Sequence, residues 1–244
     1  MTFKRTGSRI EDDRNGRKRV VIKLTGGIFG FDASSTTLKA YAAMLDDISG
    51  EVQPIVIAGG GKVARHYIRL ARELGSDEAS LDIMGIAVSR LNAELMVAAL
   101  GEKAHTSVPQ DLEQVAAAAA SGRIVICGGL HPGQSTNATS ALIAEKVHAL
   151  KFLNATDVDG IYDSDPNTNP NAKLFSEISI RQCLEILQNG SSTAGTYDLM
   201  DLVALKVIER SKLATFVLRS TPENIRKAVI GKPFVGTRIV PDGR

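Results

Sequence analysis

Ile55-Val56-Ile57-Ala58-Gly59-Gly60-Gly61 is an apolar run that stops on three glycines. Two further stretches share its form, Val20-Val21-Ile22-Lys23-Leu24-Thr25-Gly26-Gly27 and Ile124-Val125-Ile126-Cys127-Gly128-Gly129. β-Branched and aliphatic residues without alternation read as strands buried on both faces, as in a parallel sheet covered by helices. Glycine at the exit lets the backbone bend sharply and lets another group come close. Ligands of open α/β sheets sit at the carboxyl ends of the strands, so three glycine exits on one edge predict one crevice. The central exit runs directly into a helical pattern from about Lys62, with Arg65 one turn in, and so suggests an anion site.

Working outward, helical periodicity covers 35–48, with Leu38, Ala42, Leu45 and Ile48 on one face. It returns over 62–74, with Val63, Tyr67, Leu70 and Leu74 turned inward, and again from a cap at Ser76 or Asp77 to about Leu100. The stripe of that long helix is Leu81, Met84, Val88, Leu91 and Leu95. Residues 104–108 read as a short edge strand, and Pro109 opens a helix through the alanines 116–120 that Gly122 ends. A helix at 138–146 and a strand at 149–155 follow, then an acidic turn-rich segment and a hairpin tip at 167–171 closed by 173–175. Helices at 179–189, 198–211 and 222–229 alternate with strands at 215–218 and 237–240, around a Gly/Ser-rich loop at 190–196. Strand–helix alternation throughout predicts an α/β fold, a sandwich with a mainly parallel central sheet.

The chain has 244 residues, of which 43% are hydrophobic, enough for one large α/β domain. Its longest apolar stretches are strand-sized or broken by charge, short of the ~20 residues a membrane span needs, and no export signal opens it. Net charge is +2, yet residues 1–19 hold seven Lys or Arg against three acids. The basic character therefore belongs to an N-terminal extension, 1–19, that reads as disordered, ahead of a globular body at 20–244. No basic patch with interleaved aromatics appears in the body, which argues against nucleic-acid binding. Cys127 and Cys183 have neither metal nor disulfide spacing and read as buried reduced thiols of a cytoplasmic protein.

The motifs narrow the chemistry. No glycine stands five residues before Gly61-Lys62, and Val63 replaces Ser or Thr, so the Walker loop is absent. Ala64 stands where a dinucleotide fingerprint needs its third glycine. Glycines before a helix, with Arg65 in the first turn, still supply amides, a dipole and a guanidinium for phosphate, although plain tight-turn glycines explain them too. Lys23 interrupts an apolar strand two residues before its exit, so its ammonium either reaches into the crevice or snorkels. Asp157, Asp159, Asp163 and Asp165 lack EF-hand spacing, and the four histidines show no paired metal-ligand spacing, so no protein metal site is expected. Without a Gly-x-Ser-x-Gly elbow, a hydrolase nucleophile is not visible.

Four motifs in order resemble the amino acid kinase family and, within it, the archaeal uridylate kinases. They are Lys23-Leu24-Thr25-Gly26-Gly27, Gly59-Gly60-Gly61-Lys62-Val63-Ala64-Arg65, the loop Gly128-Gly129-Leu130-His131-Pro132-Gly133-Gln134-Ser135-Thr136, and Ala155-Thr156-Asp157-Val158-Asp159-Gly160-Ile161-Tyr162 with Asp165-Pro166. The segments 81–86 and Ala194-Gly195-Thr196-Tyr197-Asp198 point the same way. The resemblance implies a three-layer α/β/α sandwich, with a UMP-binding half at about 20–145 and an ATP-binding half at about 146–244. It implies transfer of the γ-phosphoryl group of MgATP to UMP, with magnesium held mainly by phosphates. Lys23, Arg65 and Lys206 would be catalytic. Lys23, Gly26, Gly27, Gly61, Arg65, Thr156, Asp157, Tyr162 and Asp165 would serve ATP. Gly60, Asp82, Leu130, His131, Pro132, Gly133, Gln134, Ser135 and Thr136 would serve UMP. Asn137 stands where many members carry aspartate, and Asp157 where asparagine is usual. A cytoplasmic homo-oligomer, a hexamer built from dimers that pack the long helix, is also implied.

Two rivals use the same residues. A small-metabolite kinase acting on carbamate, acetylglutamate or isopentenyl phosphate would share the fold. Isopentenyl phosphate kinases generally carry a histidine after the glycine triplet, where this chain has Lys62-Val63-Ala64-Arg65. A nucleotide-binding regulatory or storage protein without catalysis is the reading from another class, and a test for UDP formation separates it.

Overall fold

A computed structural model of the chain describes residues 13, 15–164, 166, 168–188 and 200–242. In order they form β1 (Lys18–Leu24), α1 (Ser35–Ile48), β2 (Val52–Ala58), α2 (Gly61–Glu73), α3 (Glu78–Leu100), α4 (Leu112–Ala119), β3 (Val125–Cys127) and α5 (Thr136–Lys146). There follow β4 (Lys151–Thr156), β5 (Glu177–Ser179), α6 (Ile180–Gln188), α7 (Leu202–Ser211), β6 (Ala214–Arg219), α8 (Pro222–Val229) and β7 (Gly236–Val240).

The strands make a seven-stranded sheet in the order β3-β2-β1-β4-β6-β7-β5. β1, β2, β3, β4 and β6 run parallel, whereas β7 is antiparallel to β6 and carries β5 beside it. The chain builds outward from β1 to β3, then crosses back to lay β4 on the other side of β1. The order therefore reverses between β1 and β4, where Lys23 stands opposite Asn154. Such a reversal opens a crevice at the strand ends.

Strands buried on both faces need helices on both sides. Val21, Ile55, Ile57, Phe152 and Val217 meet residues of α4, α5 and α7 on one face. Val20, Ile22, Leu24, Val56 and Leu153 meet residues of α1, α3 and α8 on the other. These side chains are fully buried, and each contributes about 1.5–3 kcal/mol relative to exposure. The result is the three-layer sandwich.

Several local readings change. Tyr67, Leu70 and Leu74 do not face inward, and α2 buries Ala64 and Ala71 instead, because small residues let it lie close along α3. On α3 only Leu81 of the expected stripe is buried; Ser89, Asn92, Ala93, Met96 and Leu100 form the rest of the inner face. Met84, Leu91 and Leu95 point outward, Leu91 being 62% exposed. The α3 segment Glu78–Lys103 is long and apolar enough to cross a membrane by length and composition, contrary to the sequence reading. Its inner face nevertheless packs on the sheet. Residues 104–108 contribute a single bridge, Ala104 to Ile124, and α4 starts at Leu112 under an Asp111 cap rather than at Pro109. β5 has no counterpart in the sequence reading.

The extension also ends earlier than residue 19. β1 starts at Lys18, Asp13 is buried, and Arg17 pairs with it while donating to the carbonyls of Ser49 and Gly122. A buried carboxylate needs such a partner, and the guanidinium fork supplies it. Residues 1–12, Asp165, 189–199 and the segment 194–198 lie outside the described residues.

The exits of β1 and β2 meet backbone to backbone. A Cβ on Gly26 would lie 2.1 Å from the Gly61 amide nitrogen and 2.4 Å from its Cα. Gly61 also holds φ at +63°, a conformation that favours glycine. Gly26→Ala is expected to lower the free energy of unfolding by about 3 kcal/mol or more, because two backbones must separate. Gly50→Ala, whose Cβ would meet only the Asp47 carbonyl at 3.6 Å, serves as control and should change it by less than about 1 kcal/mol in urea titration.

Candidate active site

Among the described residues seven helices begin under a side-chain cap: Ser34, Asp77, Asp111, Ser135, Ser179, Asp201 and Thr221 accept from backbone amides of α1, α3, α4, α5, α6, α7 and α8. α2 begins on Gly60 with no side-chain cap. A side chain on Gly60 would strike the Ala64 Cβ at 2.6 Å, so glycine here follows from packing. The consequence is a bare helix N-terminus, whose amides and dipole attract an anion. It stands against the β1 exit at Gly26. Arg65, on the second turn of α2, is exposed, and no ion pair engages it among the described residues.

Lys23 lies at the order reversal. Side chains alternate along a strand, so Lys23 shares the α5-facing side of β1 with Val21, and Asn154 shares that side of β4 with Phe152. Burial pushes the Lys23 ammonium down to about 8, and the Asp157 carboxylate opposes that drop. A cation held in this way gains from an arriving phosphate. Asp157 itself is exposed at the end of β4, with the Thr156 hydroxyl donating to its Oδ1 at 3.0 Å.

α3 fastens the other exits. Asn92 donates from Nδ2 to the Gly59 carbonyl at 2.8 Å, and Ser89 Oγ accepts from Gly129 at 2.8 Å. Arg90 donates to the carbonyls of Gly129 at 3.1 Å, Leu130 at 3.2 Å and Gln110 at 3.0 Å. Gly128 lies so close to α3 that a Cβ would meet the Arg90 nitrogen at 2.6 Å. Asp82, nearer the start of the helix, accepts from the Gly133 amide at 2.6 Å and so ties down the tip of the following loop. The loop leads from buried Leu130 through exposed His131, Pro132 and Gly133 to Gln134 and Ser135. Ser135 caps α5, which begins with Thr136, and donates to Asp201, the cap of α7.

The acidic loop after β4 is pinned to β7, next to the sheet edge. Thr237 Oγ1 accepts from the Ile161 amide at 2.8 Å, and a Cβ on Gly160 would meet that oxygen at 2.5 Å. Tyr162 donates to Asp159 at 3.4 Å and bridges to Leu174, closing the hairpin. Burial, with Asp159 beside it, raises the Tyr162 phenol.

The structure thus gathers Lys23, Gly26, Gly27, Gly60, Gly61 and Arg65 at the β1 and β2 exits. The Asp82 and 130–136 group adjoins the β3 exit, and Thr156, Asp157 and Tyr162 the β4 exit. Lys206 is different: it is exposed on α7 and pairs with Glu209 at 3.2 Å. Ser89, Arg90, Asn92, Asp201, Arg219 and Thr237 were not singled out by sequence. The polar residues Ser89, Arg90 and Asn92 inside an otherwise apolar helix were the available signal. Cys127 and Cys183 are buried, their thiols pushed up to about 12 by burial, which makes them poor nucleophiles. No group of three or more His, Cys, Asp or Glu is arranged to hold a metal ion among the described residues.

Comparison with known proteins gives consistent matches. The model of the amino acid kinase family matches residues 18–219. A uridylate kinase of Methanothermobacter thermautotrophicus is 41% identical over 92% of this chain and 100% of its own length. One of Archaeoglobus fulgidus is 42% identical over 91% and 99%. The crystal structure of the Archaeoglobus fulgidus uridylate kinase superposes with a TM-score of 0.82, covering 91% of this chain and 99% of that one. UMP kinase of Ureaplasma parvum, at 23% identity and a TM-score of 0.76, shares the fold.

The depressed Lys23 value makes a prediction with a defined sign. Between about 8 and the ordinary lysine value of 10.5 the unfolded chain holds a proton on this lysine that the folded chain has released. Stability from this residue therefore rises with pH across that window and is lowest below it. Lys23→Met should unfold at higher urea than the parent at pH 7, by on the order of 2 kcal/mol, with the gap closing by pH 10. A variant less stable than the parent at pH 7 would refute the burial penalty.

Proposed function

Because this chain belongs to the amino acid kinase family, with uridylate kinases matching it over nearly its whole length, we infer that it is a UMP kinase. It transfers the γ-phosphoryl group of ATP to UMP, giving ADP and UDP, as a cytoplasmic step of pyrimidine nucleotide synthesis. The observation that carries this reading is the meeting of a partly buried lysine, Lys23, and a bare helix N-terminus at the joined exits of β1 and β2.

The acceptor is a phosphate oxygen that is already anionic, so no side chain need remove a proton. What the protein must do is align two polyanions and offset their repulsion. In this reading Lys23 and the backbone at Gly26 and Gly27 contact the transferring phosphates. Gly60 and Gly61 let donor and acceptor phosphates approach, and the Arg65 fork reaches them from α2. Thr156, Asp157 and Tyr162 line the ATP side, and Asp165 is assigned to ATP by the family resemblance alone. Asp82 meets the ribose of UMP through the oxygen that Gly133 does not use. Leu130, His131, Pro132, Gly133, Gln134, Ser135 and Thr136 surround the base and phosphate. Lys206 enters only by leaving Glu209 for a phosphate, and is therefore the most conditional member of the set. Magnesium, when bound, screens the β- and γ-phosphates and is held mainly by their oxygens and water. The Asp157 carboxylate, exposed at the end of β4, is the oxygen donor of this set that would hold the ion directly or through water. The acceptor half is then about 20–145 and the donor half about 146–244, joined through the continuous sheet.

The outward stripe of α3, with Met84, Leu91 and Leu95, gives the chain a natural self-association surface, and a hexamer built from dimers is the proposed assembly. Changing Leu91 and Leu95 together to glutamate should lower the molar mass seen by light scattering. An unchanged mass would remove α3 from the interface.

ATP and UMP should give UDP in a coupled assay, and Lys23→Met should lower kcat by about 10²–10⁴ while changing UMP affinity little. Tight UMP binding without UDP at high protein concentration would favour a non-catalytic nucleotide-binding protein.

A further inference from the structure

Besides Thr237, the acidic loop after β4 is held by Arg219, whose guanidinium the reading above does not use. Arg219 ends β6, in register with Thr156 at the end of β4. Its Nη1 donates to the Asp157 carbonyl at 2.7 Å, and its Nε pairs with Asp159 Oδ1. Asp159 Oδ2 accepts in turn from Tyr162. The backbone of Arg219 is anchored as well, its carbonyl accepting from Asn224 Nδ2 at 3.4 Å. The hydrogen bond with Asp159 raises the guanidinium further above its usual range.

The electrostatic setting gives this contact a task. Asp157 and Asp159 sit two residues apart at the mouth of the β4 exit, where the proposed donor carries several negative charges. Asp163 does not add to them directly, because its carboxylate turns to the Lys173 amide at 2.9 Å in the outer hairpin. Two carboxylates would repel a polyanion and each other. Asp157 has the Lys23 ammonium in its field, and Asp159 has Arg219. A guanidinium fork is suited to this, since one group can hold a carboxylate and a carbonyl at fixed angles.

We propose that Arg219 is a positioning residue of the donor site, which fixes the Asp157 backbone and neutralises Asp159 so that the loop accepts a nucleoside triphosphate. The inference rests on the reading of this loop as the ATP side. Arg219 acts through Asp157 and Asp159, and among the described residues none of its hydrogen bonds goes to α3 or residues 130–136.

The test is steady-state kinetics with ATP and UMP varied separately, with direct MgATP binding by equilibrium dialysis in the absence of acceptor. Arg219→Gln should raise KM for ATP about tenfold and weaken MgATP binding in step, while KM for UMP stays within about twofold. Arg219→Lys, which keeps the charge and loses the fork, should fall between. Adding Asp159→Asn to Arg219→Gln should recover part of the ATP affinity, because the uncompensated carboxylate is then gone. Equal rises in both KM values, or no recovery in the double variant, would overturn the proposal, as would unchanged MgATP binding in a folded Arg219→Gln. Parent protein that binds MgATP without phosphorylating UMP would sink the kinase reading alone, and the dialysis comparison would still decide the role of Arg219.

Discussion

The backbone contact between Gly26 and Gly61 is the constraint on which the rest of the crevice depends. No side chain fits between the β1 exit and the first residue of α2, where even a methyl group would fall well inside van der Waals contact with the facing backbone. That closeness sets the start of α2 directly beside the end of β1. The three α3 residues Ser89, Arg90 and Asn92 then draw the β2 and β3 exits onto one helix. The strand ends become a floor made largely of peptide groups. Such a floor suits phosphates, because amides and a helix dipole attract anions and no side chain stands in the way.

Charge placement follows from the same topology. The reversal between β1 and β4 puts a lysine next to an asparagine in a layer filled mainly with apolar side chains. An ammonium in that position is costly until an anion arrives, which links the instability of the empty crevice to its use. Arg65 on one side and Arg219 on the other complete an arrangement in which cations sit on fixed secondary structure. Catalysis by alignment and charge neutralisation needs that rigidity more than it needs an acid or base.

Much of this was legible in the sequence, and the failures have physical causes. Aliphatic runs ending in glycine, broken in β1 by Lys23, identified β1, β2 and β3, and alternation with helices identified the layered sheet. The glycines themselves were understood only in part: a close approach was expected from a ligand, whereas Gly26, Gly61 and Gly128 first admit other backbone. Periodicity misjudged α2 and α3 because both carry apolar residues on more than one side. The true inner face of α3 is marked by Ser89 and Asn92, whose value lies in hydrogen bonds and not in hydrophobicity. Arg219 and Thr237 could not have been tied to the acidic loop, since their proximity depends on the β4–β6 and β6–β7 register.

Donor and acceptor phosphates are thus taken to meet directly over the glycine floor, with no protein atom between them and no covalent intermediate. The stereochemical course of transfer tests this most directly, using ATP made chiral at the γ-phosphorus with UMP as acceptor. A single in-line displacement predicts inversion of configuration at phosphorus in the UDP formed. Retention would require two displacements through a phosphorylated side chain and would contradict the account.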